Sequence, residues 1–146
     1  LGFDYDARKV RSASESAWRG GRIRFEERDI LSCPLPRSDA VLLLDVLHYW
    51  AADKQDALLA RIRAALKPGG RLILRDAMHD DSAAHSRVVF WERFATAIAH
   101  NRSVEKLCFR PLADIRSALE RAGFRNVTVV RGRTGLGSNA LITAEA

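Results

Sequence analysis

The 146-residue sequence predicts an α/β fold: an open, mostly parallel sheet with helices on both faces and a C-terminal antiparallel hairpin. Three observations predict it. Residues 39–76 read as an apolar run ending in an acid, an amphipathic helix, and a second apolar run ending in an acid. Residues 40–44 are apolar without alternation, which suits a parallel strand covered on both faces. Residues 126–130 and 140–143 are strand-like and flank the Gly-rich stretch 132–138, as two strands of a hairpin would.

The elements follow in order. Residues 1–6 look like the end of a strand running into a turn, and 7–18 like a helix weakened by several serines and broken at Gly20-Gly21. Residues 22–27 alternate polar and apolar, as a half-buried edge strand does. A loop with Pro34 and Pro36 leads to the central unit. Asp53 can cap its helix, in which Leu58, Leu59, Ile62, Ala65 and Leu66 share one face while Arg61, Arg63 and Lys67 occupy the other. Pro68 and Gly69-Gly70 are expected to stop that helix, and 71–74 to restart as a strand through a right-handed connection. Residues 77–110 break the rhythm. They hold a stretch, 87–100, with Val88, Phe90, Trp91, Phe94, Ala97 and Ile98 at helical spacing. This segment would lie over the ligand end of the sheet as a lid or substrate wall, or else serve as a plain packing helix. Pro111 suits a helix start, Leu112, Ile115, Ala118, Leu119 and Ala122 form one stripe, and Gly123 ends it.

The length is that of a single domain, 1–146, with an apolar fraction of 47% and a charged fraction of 29% that fit an ordinary globular protein. No apolar run approaches the roughly 20 residues of a membrane helix, so no membrane partner is expected. The N-terminus resembles neither a signal nor a transit peptide, and without an initiator Met the chain reads as beginning inside a longer protein. Net charge is +6, but the basic residues, nearly all Arg, are scattered. That favours a solvated surface over nucleic acid, which would call for a basic stripe interleaved with aromatics. Cys33 and Cys108 form neither a disulfide framework nor a zinc pattern, and a reducing cytoplasm is the simplest setting. The four histidines lack ligand spacing, so no metal is expected.

In open α/β sheets, ligands bind beyond the carboxyl ends of the strands. Asp45, His48 and Asp76 therefore lie where chemistry is expected. The element order, the turn Leu66-Lys67-Pro68-Gly69-Gly70 and the stretch Leu119-Glu120-Arg121-Ala122-Gly123-Phe124 resemble class I S-adenosylmethionine-dependent methyltransferases, over nearly the whole chain. The resemblance implies a Rossmann-like sheet, S-adenosylmethionine as methyl donor, and a small-molecule acceptor. It implies that Asp4, at the end of the family's second strand, holds the ribose hydroxyls; a turn acid capping the next helix is the other reading there, and it fits Asp6 better. It implies that Asp29 meets the adenine amino group and Ile30 packs on the ring; alone, Asp29 reads as a loop cap. Asp45 would lie near the donor's methionine end.

Leu47-His48-Tyr49-Trp50 is similar to the Leu-His-x-Trp of small-molecule O-methyltransferases, in which the His is a general base on a hydroxyl. Imidazole titrates near neutrality, which suits taking a proton from a phenol as it attacks a methyl group. The competing reading makes His48 a wall of the donor pocket. Trp50, Trp91 and Phe94 are the candidate substrate contacts. The sequence departs from the family in one respect. The first strand and its GxGxG loop should precede Gly2, and Gly135-Leu136-Gly137-Ser138 opens no helix and cannot replace them. The missing strand is central, so its absence exposes backbone edges and invites self-association or strand exchange between copies. The expectation is the C-terminal portion of a methyltransferase acting on a hydroxyl, with this chain alone binding the donor weakly or not at all. The alternatives are a non-catalytic dimerisation or scaffold module and an RNA methyltransferase.

Overall fold

The computed structural model describes residues 1–16, 22–79, 107–131 and 139–146, without the side chains of 130 and 131. They fall into two compact units, Leu1–Pro36 and Arg37–Ala146. In the first unit, β1 (Gly2–Asp4) and β2 (Phe25–Glu27) pair in parallel, with Asp4 opposite Glu27. Gly2 lies directly on Phe25, where an added Cβ would come within 2.6 Å of the ring. The helix α1 (Ala7–Ser16) starts behind Asp6, whose Oδ1 accepts the N–H of Arg8 at 2.9 Å. Asp6 is thus the helix cap, as its sequence position predicts.

The second unit contains β3 (Ser38–Leu44), a 3-10 turn (Leu47–Tyr49), α2 (Ala52–Ala65), β4 (Leu66–Ala77), α3 (Leu112–Arg121), β5 (Arg125–Arg131) and β6 (Asn139–Glu145). The strand order is β3-β4-β6-β5. β3 and β4 are parallel, and β6 is antiparallel to both β4 and β5, so the expected hairpin is present with its second strand inserted beside β4. The crossover α2 packs on β4 and α3, and α3 packs on β5. Leu58, Leu59 and Ile62 of α2, with Ile115, Ala118 and Leu119 of α3, are buried together with Leu43, Leu72, Leu74 and Ile142 of the sheet. Burying one such side chain contributes roughly 1.5–3 kcal/mol, so this shared layer is what holds the crossover to the strands.

Three expectations are corrected in detail. The first concerns β3, of which one face is covered by helices among the described residues of its unit. Leu43 is buried, but Leu42 and Leu44 are 60% and 48% exposed. Successive strand residues point to opposite faces, and α2 and α3 supply cover for just one of them. Second, α2 is not stopped by the glycines. Its C-cap is Leu66, already extended at φ −73°, ψ 142°, and Leu66 pairs with Ser38 as the first residue of β4. Ala40 then pairs with Arg71, so two steps along β3 face five along β4, and residues 67–70 loop out. Gly69 supplies the positive φ of +74° for that loop. At Gly70 a Cβ would stand 2.9 Å from the carbonyl oxygen of Lys67 and 3.0 Å from that of Asp39. Third, Asp53 is not the α2 cap. Ala51 occupies that position without a side-chain hydrogen bond, and Asp53 lies in the first turn, where its charge still complements the helix dipole.

The other end signals hold. Pro111 is the α3 N-cap. Gly123, at φ +89°, closes it with Gly123 N–H donating to Glu120 and Phe124 N–H donating to Leu119. This is the Schellman arrangement that a glycine in the left-handed conformation permits.

Candidate functional site

The carboxyl ends of the parallel strands carry the acids that the sequence places there. In the first unit, β1 ends at Asp4, whose Oδ1 accepts the N–H of Asp6 at 2.8 Å. Beyond β2, Asp29 accepts the N–H of Leu31 at 2.9 Å and the hydroxyl of Ser32 at 3.3 Å, and its carbonyl accepts the N–H of Cys33 at 2.8 Å. Because β1 and β2 are parallel and in register, Asp4, Asp29 and the half-buried Ile30 belong to the same end of that small sheet. Asp29 itself is exposed.

In the second unit, β3 ends at Leu44 opposite Arg75 of β4, bringing residues 45–50 beside Asp76. Asp45 has φ +53°, a conformation that Asp tolerates better than most residues. Its carboxylate receives the Arg75 guanidinium in a two-pronged ion pair, and its N–H donates to the Arg75 carbonyl at 2.8 Å. The chain then turns through Leu47–Tyr49, which points His48 inward.

His48 and Asp76 are both buried, 3% and 2% exposed. His48 Nδ1 lies 2.5 Å from Asp76 Oδ1. The same carboxylate accepts three backbone N–H groups: Ala77 on Oδ1 at 2.7 Å, and Leu47 and His48 on Oδ2 at 2.8 and 3.2 Å. These donors satisfy the buried charge and fix its orientation. A carboxylate can only accept, so in the neutral imidazole the proton is on Nδ1 and the lone pair is on Nε2. The ring is held from its faces as well. Phe109 stacks on it with centroids 4.8 Å apart and planes at 13°, and Tyr49 lies at 4.3 Å, tilted by 46°.

The segment after residue 106 is anchored over this site. Cys108 N–H donates to the His48 carbonyl at 2.8 Å, and Arg110 Nη1 reaches Asp56 of α2 at 2.5 Å. Arg121 of α3 also binds Asp56, at 2.8 Å. Burial raises the Asp56 carboxyl, but hydrogen bonds from Arg110 and Arg121 outweigh it and hold the group below the ordinary carboxylate value.

Of the residues singled out in the sequence, Asp45, His48 and Trp50 come together beside Asp76, while Asp4, Asp29 and Ile30 come together in the first unit. Trp50 is buried, and the Gln55 amide donates to its carbonyl. Trp91 and Phe94 lie outside the described residues. Asp76 was legible as a strand-end acid but not as the partner of His48. Phe109 and Gln55 carried no sequence signal. Among the described residues, no helix is long and apolar enough to cross a membrane, and no group of three or more His, Cys, Asp or Glu could hold a metal ion. Among the described residues, several arginines are matched to acids, as in Arg71–Glu145, Arg116–Glu120 and the Arg75–Asp45 pair.

The parallel α/β unit thus carries a buried His–Asp pair at its strand ends, and comparison with known proteins shows the family to which the chain belongs. The profile of the O-methyltransferase domain family matches residues 3–125, and the chain belongs to that family. It is 35% identical over 116 residues to the tetracenomycin polyketide synthesis 8-O-methyl transferase TcmO of Streptomyces glaucescens, covering 76% of this chain and 32% of that protein. It is also 35% identical over 105 residues to the N,N-dimethyltransferase OxyT of Streptomyces rimosus, covering 72% and 29%. Human N-acetylserotonin methyltransferase, solved in complex with SAM, superposes with a TM-score of 0.67 at 28% identity, covering 98% of this chain and 39% of the human one. The chain spans about a third of the length of these curated relatives.

Proposed function

We propose that the full-length protein transfers a methyl group from S-adenosylmethionine to a hydroxyl of a small molecule, with His48 as general base. The observation that carries this reading is the buried His48–Asp76 pair at the carboxyl ends of two parallel strands. Asp76 holds Nδ1 and leaves Nε2 as the proton acceptor. As the acceptor oxygen forms its bond to carbon, His48 takes the hydroxyl proton on Nε2. Asp76 stays ionised and stabilises the imidazolium, as the carboxylate of a Ser-His-Asp triad does. When bound, S-adenosylmethionine would supply the methyl group, whose bond to sulfur breaks as the bond to oxygen forms, the donor leaving as a neutral thioether.

The donor is cationic and rich in N–H and O–H groups, so it calls for acidic acceptors at strand ends. Within each unit taken by itself, the acids present suit that chemistry. Asp4 and Asp29 are each oriented by hydrogen bonds within their own turns, and Asp29 is exposed. Asp4 would take the ribose hydroxyls, Asp29 the adenine amino group, Ile30 the adenine face, and Asp45 the methionine end. Trp50, Trp91 and Phe94 are assigned to the acceptor side. The names of TcmO and of human N-acetylserotonin methyltransferase support a small-molecule acceptor.

A second reading, transfer to an amine nitrogen, is favoured by the likeness to OxyT. A neutral amine attacks without losing a proton first, so the two readings differ in their need for His48. The test is methyl transfer by full-length His48→Ala, with donor binding measured alongside. Hydroxyl transfer predicts a loss of about 10²–10⁴-fold in turnover with donor affinity kept. Unchanged turnover would remove the base and leave the amine reading, and no methyl transfer by the native protein to any acceptor would indicate a non-catalytic module.

A further inference from the structure

One buried side chain gathers the backbone around His48. Gln55, in the first turn of α2, is 1% exposed. Its Nε2 donates to the Trp50 carbonyl at 2.8 Å and to the Cys108 carbonyl at 2.9 Å. Cys108 N–H donates in turn to the His48 carbonyl. His48, Trp50, Gln55 and Cys108 thereby form a closed circuit, Tyr49 joining the first pair along the chain and hydrogen bonds joining the rest. Phe109, which stacks on the imidazole, is the next residue after Cys108.

The chemistry of the position is specific. Both groups that Gln55 meets are acceptors, so the site takes a neutral side chain with two donors. A carboxylate would set oxygens against both carbonyls, and a thioether would offer neither bond. The Gln55 Oε1 is buried and accepts no hydrogen bond among the described residues. Leaving a buried acceptor unsatisfied is unfavourable, so a residue serving only to fill space here would be apolar.

We propose that Gln55 is the positioning residue for His48: by tying Trp50 to Cys108 it fixes both the backbone that carries the imidazole and the Phe109 ring that faces it. Nδ1 then stays on Asp76, and Nε2 keeps one direction. The consequence for turnover rests on the reading of His48 as base. The hold of Gln55 on the His48 ring does not depend on it.

The test uses the 146-residue chain with ¹⁵N-labelled histidine, following exchange of the His48 Nδ1 proton with solvent. Gln55→Met matches the length and approximate volume but donates nothing. Asp56→Asn loosens the same segment through Arg110 and leaves the circuit intact. Gln55→Met is expected to speed exchange of the His48 proton by about tenfold or more, while Asp56→Asn leaves it within about twofold of native. Native exchange in Gln55→Met, or equal acceleration in Asp56→Asn, would overturn the proposal. If Gln55→Met does not fold, the native chain decides. One opening event should protect the Gln55 amide protons and the His48 proton to within about twofold, each rate being taken relative to that of the unprotected side chain, and a His48 proton protected about tenfold less would overturn the proposal. In the full-length protein, Gln55→Met should lower kcat with the donor KM unchanged. If His48→Ala leaves turnover intact while the exchange result holds, the base reading fails and the positioning role stands.

Discussion

Replacing Asp76 with Asn keeps the size of the side chain and changes what it can accept. Oδ2 receives the N–H groups of Leu47 and His48, so the amide oxygen of Asn is held at that position. The amide nitrogen then takes the place of Oδ1, where it meets His48 Nδ1 and the N–H of Ala77. As a donor it forces Nδ1 to accept, which transfers the imidazole proton to Nε2. The ring stays in place and presents the wrong tautomer. The expected loss in single-turnover methyl transfer is about 10²–10⁴-fold, the range for a lost general base. Stability falls too. The Ala77 N–H loses its acceptor, and the His48 contact loses its charge assistance, together costing about 2–4 kcal/mol. Rapid-quench transfer of labelled methyl by the full-length protein measures the first effect, and the urea midpoint of the 146-residue chain measures the second. A native transfer rate in Asp76→Asn, in protein shown to be folded, would refute the reasoning about the tautomer.

Three further outcomes follow from the packing and charges. Leu59→Ala removes a side chain of zero exposure from the layer shared by α2 and the sheet, and should cost about 2–5 kcal/mol in urea unfolding; a cost below about 1 kcal/mol would mean the layer is not packed as described. Gly70→Ala should destabilise the chain more than Gly69→Ala. The added methyl at 70 meets backbone oxygens at 2.9 and 3.0 Å, whereas at 69 only the positive φ resists it, at about 1 kcal/mol. Asp56 has its carboxyl below the usual value of 3.8, so its contribution to stability is fully present above that value. It is lost as pH falls through the lower folded value, and Asp56→Asn should flatten the acid limb of a urea-stability profile. An unchanged limb would count against the Arg110 and Arg121 pairing.

Much of the fold can be read from local pattern. The spacing of Leu58, Leu59, Ile62 and Ala65 places α2 and its buried face, and Gly123 marks the end of α3 by a conformation that other residues resist. The errors arise where distant pairing decides. Leu66 is in phase with the α2 stripe, and only its pairing with Ser38 makes it the start of β4. The run from Ala40 to Leu44 has no polar residue to mark an open face, yet Leu42 and Leu44 are exposed, because coverage depends on where helices land. The candidate site shows the same division. The strand-end position of His48 and Asp76 is legible in the sequence. Their contact joins residues 28 apart, and the stacking of Phe109 and the reach of Gln55 to Cys108 join still more distant positions that share no local motif.

Which nitrogen of His48 carries the proton decides whether the imidazole can act as the base. Long-range ¹H–¹⁵N correlation on the histidine-labelled chain, with the ring neutral, reports it directly. The structure predicts a protonated Nδ1 held by Asp76 and a pyridine-type Nε2 that carries the basic lone pair. A spectrum with the proton on Nε2 would contradict the assignment of His48 as the base.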